Sequence, residues 1–377
     1  MCKGKIISVC LMLCSLGMLS AQDRADRQNL EDKESFSMIV LGDPQSMVKY
    51  DINQPLFELQ TAWIEDNIEH LNIKAVLCTG DLVEQNDLIV PSKGNGNQTS
   101  RQQWEFVSRA FSRLDHKVPY IISTGNHDYG YKSSEHGMSH FSEYFNVERN
   151  NKLLECAVAT YSNRMGYSSL ENAAFEFDHP KWGKILIVCN EFAPRDEVLA
   201  WTRQLISSDK YKNHKVIYLT HSFLFQRSAE RTKQLSDGRE DFNALGSINH
   251  GEDIWRKLVE PSKNIVLVIC GHTGTLGGFE ESVAYRKDQN IVGRDVHQMM
   301  FNVQTLGGGW QGNGSDGWLR ILEFMPDGKT IKVRTYSPLF GISPATKHLA
   351  HRTELIDQFE MVVPEWPAKL RPSGGAE

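Results

Sequence analysis

Val118-Pro119-Tyr120-Ile121-Ile122-Ser123-Thr124-Gly125-Asn126-His127-Asp128 sets an apolar run directly against a polar tetrapeptide. The run is short and rich in β-branched and aromatic residues, which reads as a buried strand. The polar residues then fall where a strand of an open α/β sheet hands over to a loop, the place where such folds assemble ligand sites. Asn126 offers a neutral oxygen or an amide donor, and His127 a proton donor tunable near neutral pH. Asp128 offers a carboxylate able to orient and charge that imidazole. A plain polar turn after a core strand has the same composition, so the surrounding chain has to decide.

Upstream, residues 36–41 form an apolar strand pattern ending in Gly42-Asp43-Pro44-Gln45, and residues 75–79 form another ending in Gly80-Asp81-Leu82-Val83-Glu84. Between them Leu56, Leu59, Trp63, Ile64, Ile68 and Leu71 make a helical stripe with Pro55 in its first turn. After a polar, Gly/Asn-rich loop over 86–100, Trp104, Val107, Phe111 and Leu114 recur at helical spacing. Strand, helix, strand, helix, strand predicts a parallel βαβαβ half.

Downstream, residues 129–172 are weakly periodic and read as an insertion over the strand ends. Residues 174–177 and 184–189 flank a turn and predict a hairpin. Residues 196–208 read as a helix capped by Asp196, and 214–220 as a strand ending in His221. The polar, Gly-punctuated segment 225–251 is a candidate lid. A short helix over 252–258 leads to a strand over 264–270 that ends in Gly271-His272-Thr273-Gly274. The segment 283–338 is β-rich, with a Pro326-Asp327-Gly328 turn between two strands. The Gly307-Gly308-Gly309-Trp310 loop reads as backbone lying close to the site or to another strand.

The chain has 377 residues, enough for a large α/β domain. Residues 1–21 carry Lys3 and Lys5, then an apolar run, then Ser20-Ala21, the layout of a secretory signal peptide. Cleavage there removes both lysines and no acid, moves the formal charge from −6 to −8, and leaves no membrane span. Residues 22–35 read as a charged linker, 36–340 as the domain and 341–377 as a C-terminal extension. The expected location is secreted or periplasmic. A mildly acidic surface without a basic track excludes a general binder of duplex nucleic acid. Cys78, Cys189 and Cys270 sit in apolar strand-like runs, and no Cys-x-x-Cys pair exists, so neither a disulfide framework nor a zinc ribbon is expected.

Five strand-like runs thus end in side chains that bind divalent cations: Asp43, Asp81, Asn126, His221 and His272. Such a mixed Asp/Asn/His set suits Mn, Fe, Zn or Co. In this order and spacing, Asp43-x-Gln45, Gly80-Asp81-x-x-Glu84, Gly125-Asn126-His127-Asp128, His221 and Gly271-His272 resemble the calcineurin-like metallophosphoesterases over residues 38–274. The resemblance implies an α/β, four-layer α/β/β/α sandwich of two mixed sheets, with two divalent metal ions at the C-terminal ends of the strands. It places Asp81 as a bridge, Asn126, His221 and His272 on one metal, and Asp43 on the other. His127 would lie just outside the metal ligands with Asp128 behind it, both in catalytic roles.

Two positions depart from the family pattern. Gln45 and Gly274 stand where histidines usually serve the same metal. Gln45 can still offer an oxygen, but Gly274 cannot ligate through a side chain, so the first site is expected to be weaker. His297 is the one nearby histidine able to substitute, and a buried strand histidine is the competing account. The implied activity is hydrolysis of a small phosphate mono- or diester by attack of metal-bound hydroxide, with His127 and Asp128 assisting. The alternative is a vestigial metal-binding protein of the same fold that captures a ligand.

Overall fold

Every residue of β1 (Phe36–Leu41) is buried, and the strand lies inside a sheet. On one side β2 (Ile73–Cys78) and then β3 (Tyr120–Ile122) run parallel to it. The crossovers carry α1 (Gln54–Asn67), with proline in its first turn, and α2 (Ser100–Ser112). Thr99 starts α2 with a capping box, accepting from the Gln102 amide while the Gln102 side chain returns to the Thr99 amide. The computed structural model describes residues 28–363 except Lys93.

On the other side of β1 the sheet turns antiparallel, through β11 (Leu319–Phe324) and β12 (Thr330–Tyr336). β13 (His351–Arg352) and β14 (Phe359–Val362) both pair with β12. Residues assigned to a C-terminal extension therefore complete the first sheet. Arg320, fully buried, pins them: its guanidinium donates to the Ile356 carbonyl at 2.8 Å, lies 3.5 Å from Asp357, and sits over the Phe359 ring.

The second sheet runs β4 (Ala157–Ser162), β5 (Ser168–His179), β6 (Gly183–Cys189), β7 (Lys215–Leu219), β8 (Ile265–Cys270), β10 (Asp295–Phe301), β9 (Val283–Gln289). Its middle strands are parallel, and β5 and β9 pair antiparallel to their neighbours. The expected hairpin is present, but β5 starts at Ser168, inside the weakly periodic insertion.

Strand alternation fixes the layers. Ile187, Cys189, Ile217, Leu219, Leu267 and Ile269 join the core shared with the first sheet. The intervening Leu186, Val188, Val216, Tyr218, Val268 and Cys270 pack instead with Leu199 and Ile206 of α3 (Asp196–Ser207) and with Ile254 and Leu258. Phe57, Ile64, Val107 and Phe111 bring α1 and α2 onto the first sheet. The order is α/β/β/α, as the resemblance implied. Asp196 is not the cap of α3: that position is Arg195, and the Asp196 carboxylate instead accepts from Asn249 and Lys257.

The expected signal peptide and residues 22–27 of the linker lie outside the described residues. Cys78, Cys156, Cys189 and Cys270 are free thiols. Among the described residues, no helix is long and apolar enough to cross a membrane.

Candidate metal centre

The exits of β1, β2 and β3 in one sheet and of β7 and β8 in the other meet at a common point, bringing Asp43, Asp81, Asn126, His221 and His272 together. Two motif glycines allow this approach. A Cβ on Gly125 would lie 2.1 Å from Asp81 Oδ1, and one on Gly271 would lie 2.2 Å from Asp43 Oδ1. Each glycine is required because a neighbouring strand's carboxylate rests against its backbone.

Asp81 Oδ2 lies 3.3 Å from His221 Nε2, which is 3.2 Å from Asn126 Oδ1 and 3.1 Å from His272 Nδ1. Asn126 Oδ1 and His272 Nδ1 are 2.9 Å apart. Bonds of about 2.1 Å to a divalent ion put adjacent ligands roughly 3.0–3.4 Å apart, so the spacing suits such an ion. Backing groups set which atoms face inward. His221 Nδ1–H donates to the Thr79 carbonyl at 2.8 Å, His272 Nε2–H donates to Glu240 at 2.9 Å, and the Asn126 amide donates to Ser133 at 2.9 Å. Each partner takes the proton-bearing atom and leaves a lone pair pointing into the cluster.

Four converging acceptors hold together only around positive charge, either a proton or a cation. Burial opposes the imidazolium of His221, but Asp81 and Asp43 outweigh it and carry its pKa up to about 9. Burial likewise works to raise the Asp81 carboxyl, yet His221 and His127 hold it well below the usual range. The donor set therefore fits a divalent cation held by Asp81, Asn126, His221 and His272.

The other expected site is sparser. Asp43, pushed up to about 6 by burial with His221 opposing, accepts from Thr79 Oγ1 at 2.6 Å and the His272 amide at 2.9 Å. Gln45 donates its Nε2 to Asp81 Oδ2 at 2.9 Å, and its Oε1 is buried with no partner among the described residues. Such an orphaned acceptor is satisfied by a cation. Among the described residues nothing crowds the place of the absent histidine: a Cβ on Gly274 would meet only Asn302 Nδ2, at 3.6 Å. His297 does not substitute, since Tyr285 Oη lies 2.7 Å from its Nδ1 and the Val362 carbonyl 3.1 Å from its Nε2. It is the buried strand histidine of the competing account.

His127 is half-buried beside Asp81, whose Oδ1 accepts its backbone amide at 2.9 Å. Its Nδ1–H donates to the Glu84 carbonyl at 2.7 Å, leaving Nε2 as the atom open to a ligand. Glu84 itself pairs with the buried Lys49 at 3.2 Å. Burial lowers the His127 pKa, but Asp81 and Glu84 reverse the effect and raise it. The expectation that Asp128 orients this ring is corrected: one of its oxygens accepts from the Leu82 and Val83 amides, at 2.8 and 3.2 Å, the other from Gly125 at 2.8 Å. It clamps the loops on which Asp81 and Asn126 ride.

Glu240 was missed by the sequence reading, which saw only a polar lid. No local motif could have found it, because it meets His272 across 32 residues. Of the loop aromatics, Tyr129, Phe192 and Phe223 are buried packing, whereas Tyr131 and Trp310 are exposed. Glu191 pairs with Arg195 at 2.8 Å, as a salt-bridged loop would.

The family model described as calcineurin-like phosphoesterase matches residues 36–275. YvnB, an uncharacterized protein of Bacillus subtilis, is 28% identical over 315 residues, which are 81% of this chain and 20% of that protein. The chain thus spans about a fifth of that relative's length. Among solved structures, GAP50, the anchor in the inner membrane complex of Plasmodium, matches with a TM-score of 0.45 and 11% identity, covering 88% of this chain and 90% of that one.

Proposed function

The chain belongs to the calcineurin-like phosphoesterases, and from that premise we propose that it is an exported, metal-dependent hydrolase of small phosphate mono- or diesters. The observation that carries this reading is the set of lone pairs on Asp81, Asn126, His221 and His272 meeting beside a histidine whose Nε2 is uncommitted. Bound divalent cations supply the charge that offsets an anionic ester and acidify a water for attack on phosphorus. Asp81 holds one oxygen toward His221 and the other on the His127 amide, which ties the metal ligands to the acid. His127, whose pKa Asp81 and Glu84 raise against the lowering effect of burial, would donate from Nε2 to the leaving oxygen or to an equatorial oxygen of the phosphoryl group. Its fixed Nδ1 bond sets the direction of that donation. The residues at positions 1–21 supply the argument for export, and the acidic balance favours a small ester over duplex nucleic acid.

Gln45 and Gly274 favour a second reading, a vestigial protein that binds metal and captures a ligand. Hydrolysis of p-nitrophenyl phosphate and of bis-p-nitrophenyl phosphate, each with Mn and with chelator, separates the two. The enzyme reading expects metal-dependent release from one ester. Full turnover by verified metal-free protein would sink it, and metal binding with no turnover on either ester would favour ligand capture.

A further inference from the structure

The lid reaches into the metal centre through a single carboxylate. Glu240 adopts φ +61, a left-handed conformation that a side chain rarely takes, and its Oε1 lies 2.9 Å from His272 Nε2. Its other oxygen, Oε2, is buried without a hydrogen-bond partner among the described residues, with His250 Nδ1 at 3.9 Å. A strained residue with a desolvated carboxylate persists only where the surroundings hold it in place. The surroundings do so here. Phe242 packs edge-on against Phe192 at 4.8 Å and lies 5.9 Å from the His272 ring. Arg164 ties the same segment down, donating to the Leu245 carbonyl at 2.9 Å and the Ala193 carbonyl at 2.7 Å.

We propose that Glu240 is a positioning residue that orients His272 Nδ1 toward the cation, so that closure of lid residues 225–251 and metal retention are one coupled event. Held by Glu240, the Nε2 proton forces the Nδ1 lone pair inward, and the carboxylate strengthens the ring as a donor. Coupling runs both ways: a cation on Nδ1 polarises Nε2–H, which tightens its hold on Glu240 and keeps the lid down. The inference rests on the metal-centre reading above.

The test uses the full chain and Mn as the probe. Glu240→Ala should weaken Mn binding at the affected site by about 10–100-fold in calorimetric titration. Glu240→Gln, which keeps an oxygen facing Nε2–H, should lose much less. Mn should slow tryptic cleavage at the exposed Arg239 in the parent protein and not in Glu240→Ala. His272→Ala should free the same bond to trypsin, which tests the coupling even where Glu240→Ala fails to fold. Equal Mn affinity and equal protection in parent and Glu240→Ala, or an unchanged Arg239 cleavage rate in His272→Ala, overturns the inference alone. Failure of the parent protein to bind Mn overturns the metal-centre reading instead.

Discussion

His127 Nδ1 lies 2.7 Å from the Glu84 carbonyl oxygen, so the ring is aimed by backbone and not by its sequence neighbour Asp128. His127 touches the metal cluster only through its backbone amide on Asp81. His127→Ala should therefore keep metal content, measured by elemental analysis, and lose about 10²–10⁴-fold in turnover. Loss of bound metal in that variant would mean the histidine is a ligand.

Asp128→Asn should act chiefly on stability and only weakly on the acid's titration, because Asp81 and Glu84 do more than Asp128 to raise His127. An amide cannot satisfy all three backbone N–H groups that the carboxylate accepts from Leu82, Val83 and Gly125. One buried donor left unpaired costs about 1–3 kcal/mol, visible as a lower denaturation midpoint. The pH–rate limb assigned to His127 should move down only slightly, and a large displacement would restore Asp128 to the role it was first given.

In chelator, the protein should lose stability as the pH rises. His221 is held up to about 9 against an ordinary value of 6.5, burial opposing the shift and Asp81 and Asp43 outweighing it. A raised pKa contributes stability that is complete below the unfolded value and fades as the pH passes the folded one. The raised His127 works in the same direction. Thermal melts should fall between about pH 6.5 and about pH 9, and Mn should flatten the decline by taking the proton's place. A melting temperature that climbs over this range without metal would contradict the account.

Gly274→His should strengthen the first site. A Cβ at this position would meet only Asn302 Nδ2, at 3.6 Å, and the glycine is not in a left-handed conformation. Metal stoichiometry should move toward two ions per chain, as in two-metal phosphoesterases. An unchanged stoichiometry would show that Gln45 and Asp43 do not form a site that a histidine can complete.

The layers and the convergence of Asp43, Asp81, Asn126, His221 and His272 were legible because both follow from short patterns. The unbroken apolar run from Ile185 to Cys189 announces a strand buried on both faces, and a polar residue just past each such run has to sit at its exit. The rest lay beyond local pattern. In the 3₁₀ turn Asn126–Asp128, successive side chains diverge, so adjacency in sequence did not become contact between His127 and Asp128. β13 and β14 are short edge strands with partly exposed residues and carry no apolar run to mark them. Glu240 reaches His272 from a lid with no regular period, and only the folded chain brings the two together.

Anomalous diffraction from crystals of the full chain grown with Mn tests the central claim most directly. The account predicts a Mn peak bounded by Asp81 Oδ2, Asn126 Oδ1, His221 Nε2 and His272 Nδ1, with a weaker one beside Asp43 and Gln45. A map in which those four side chains keep their positions and no peak lies among them would contradict it.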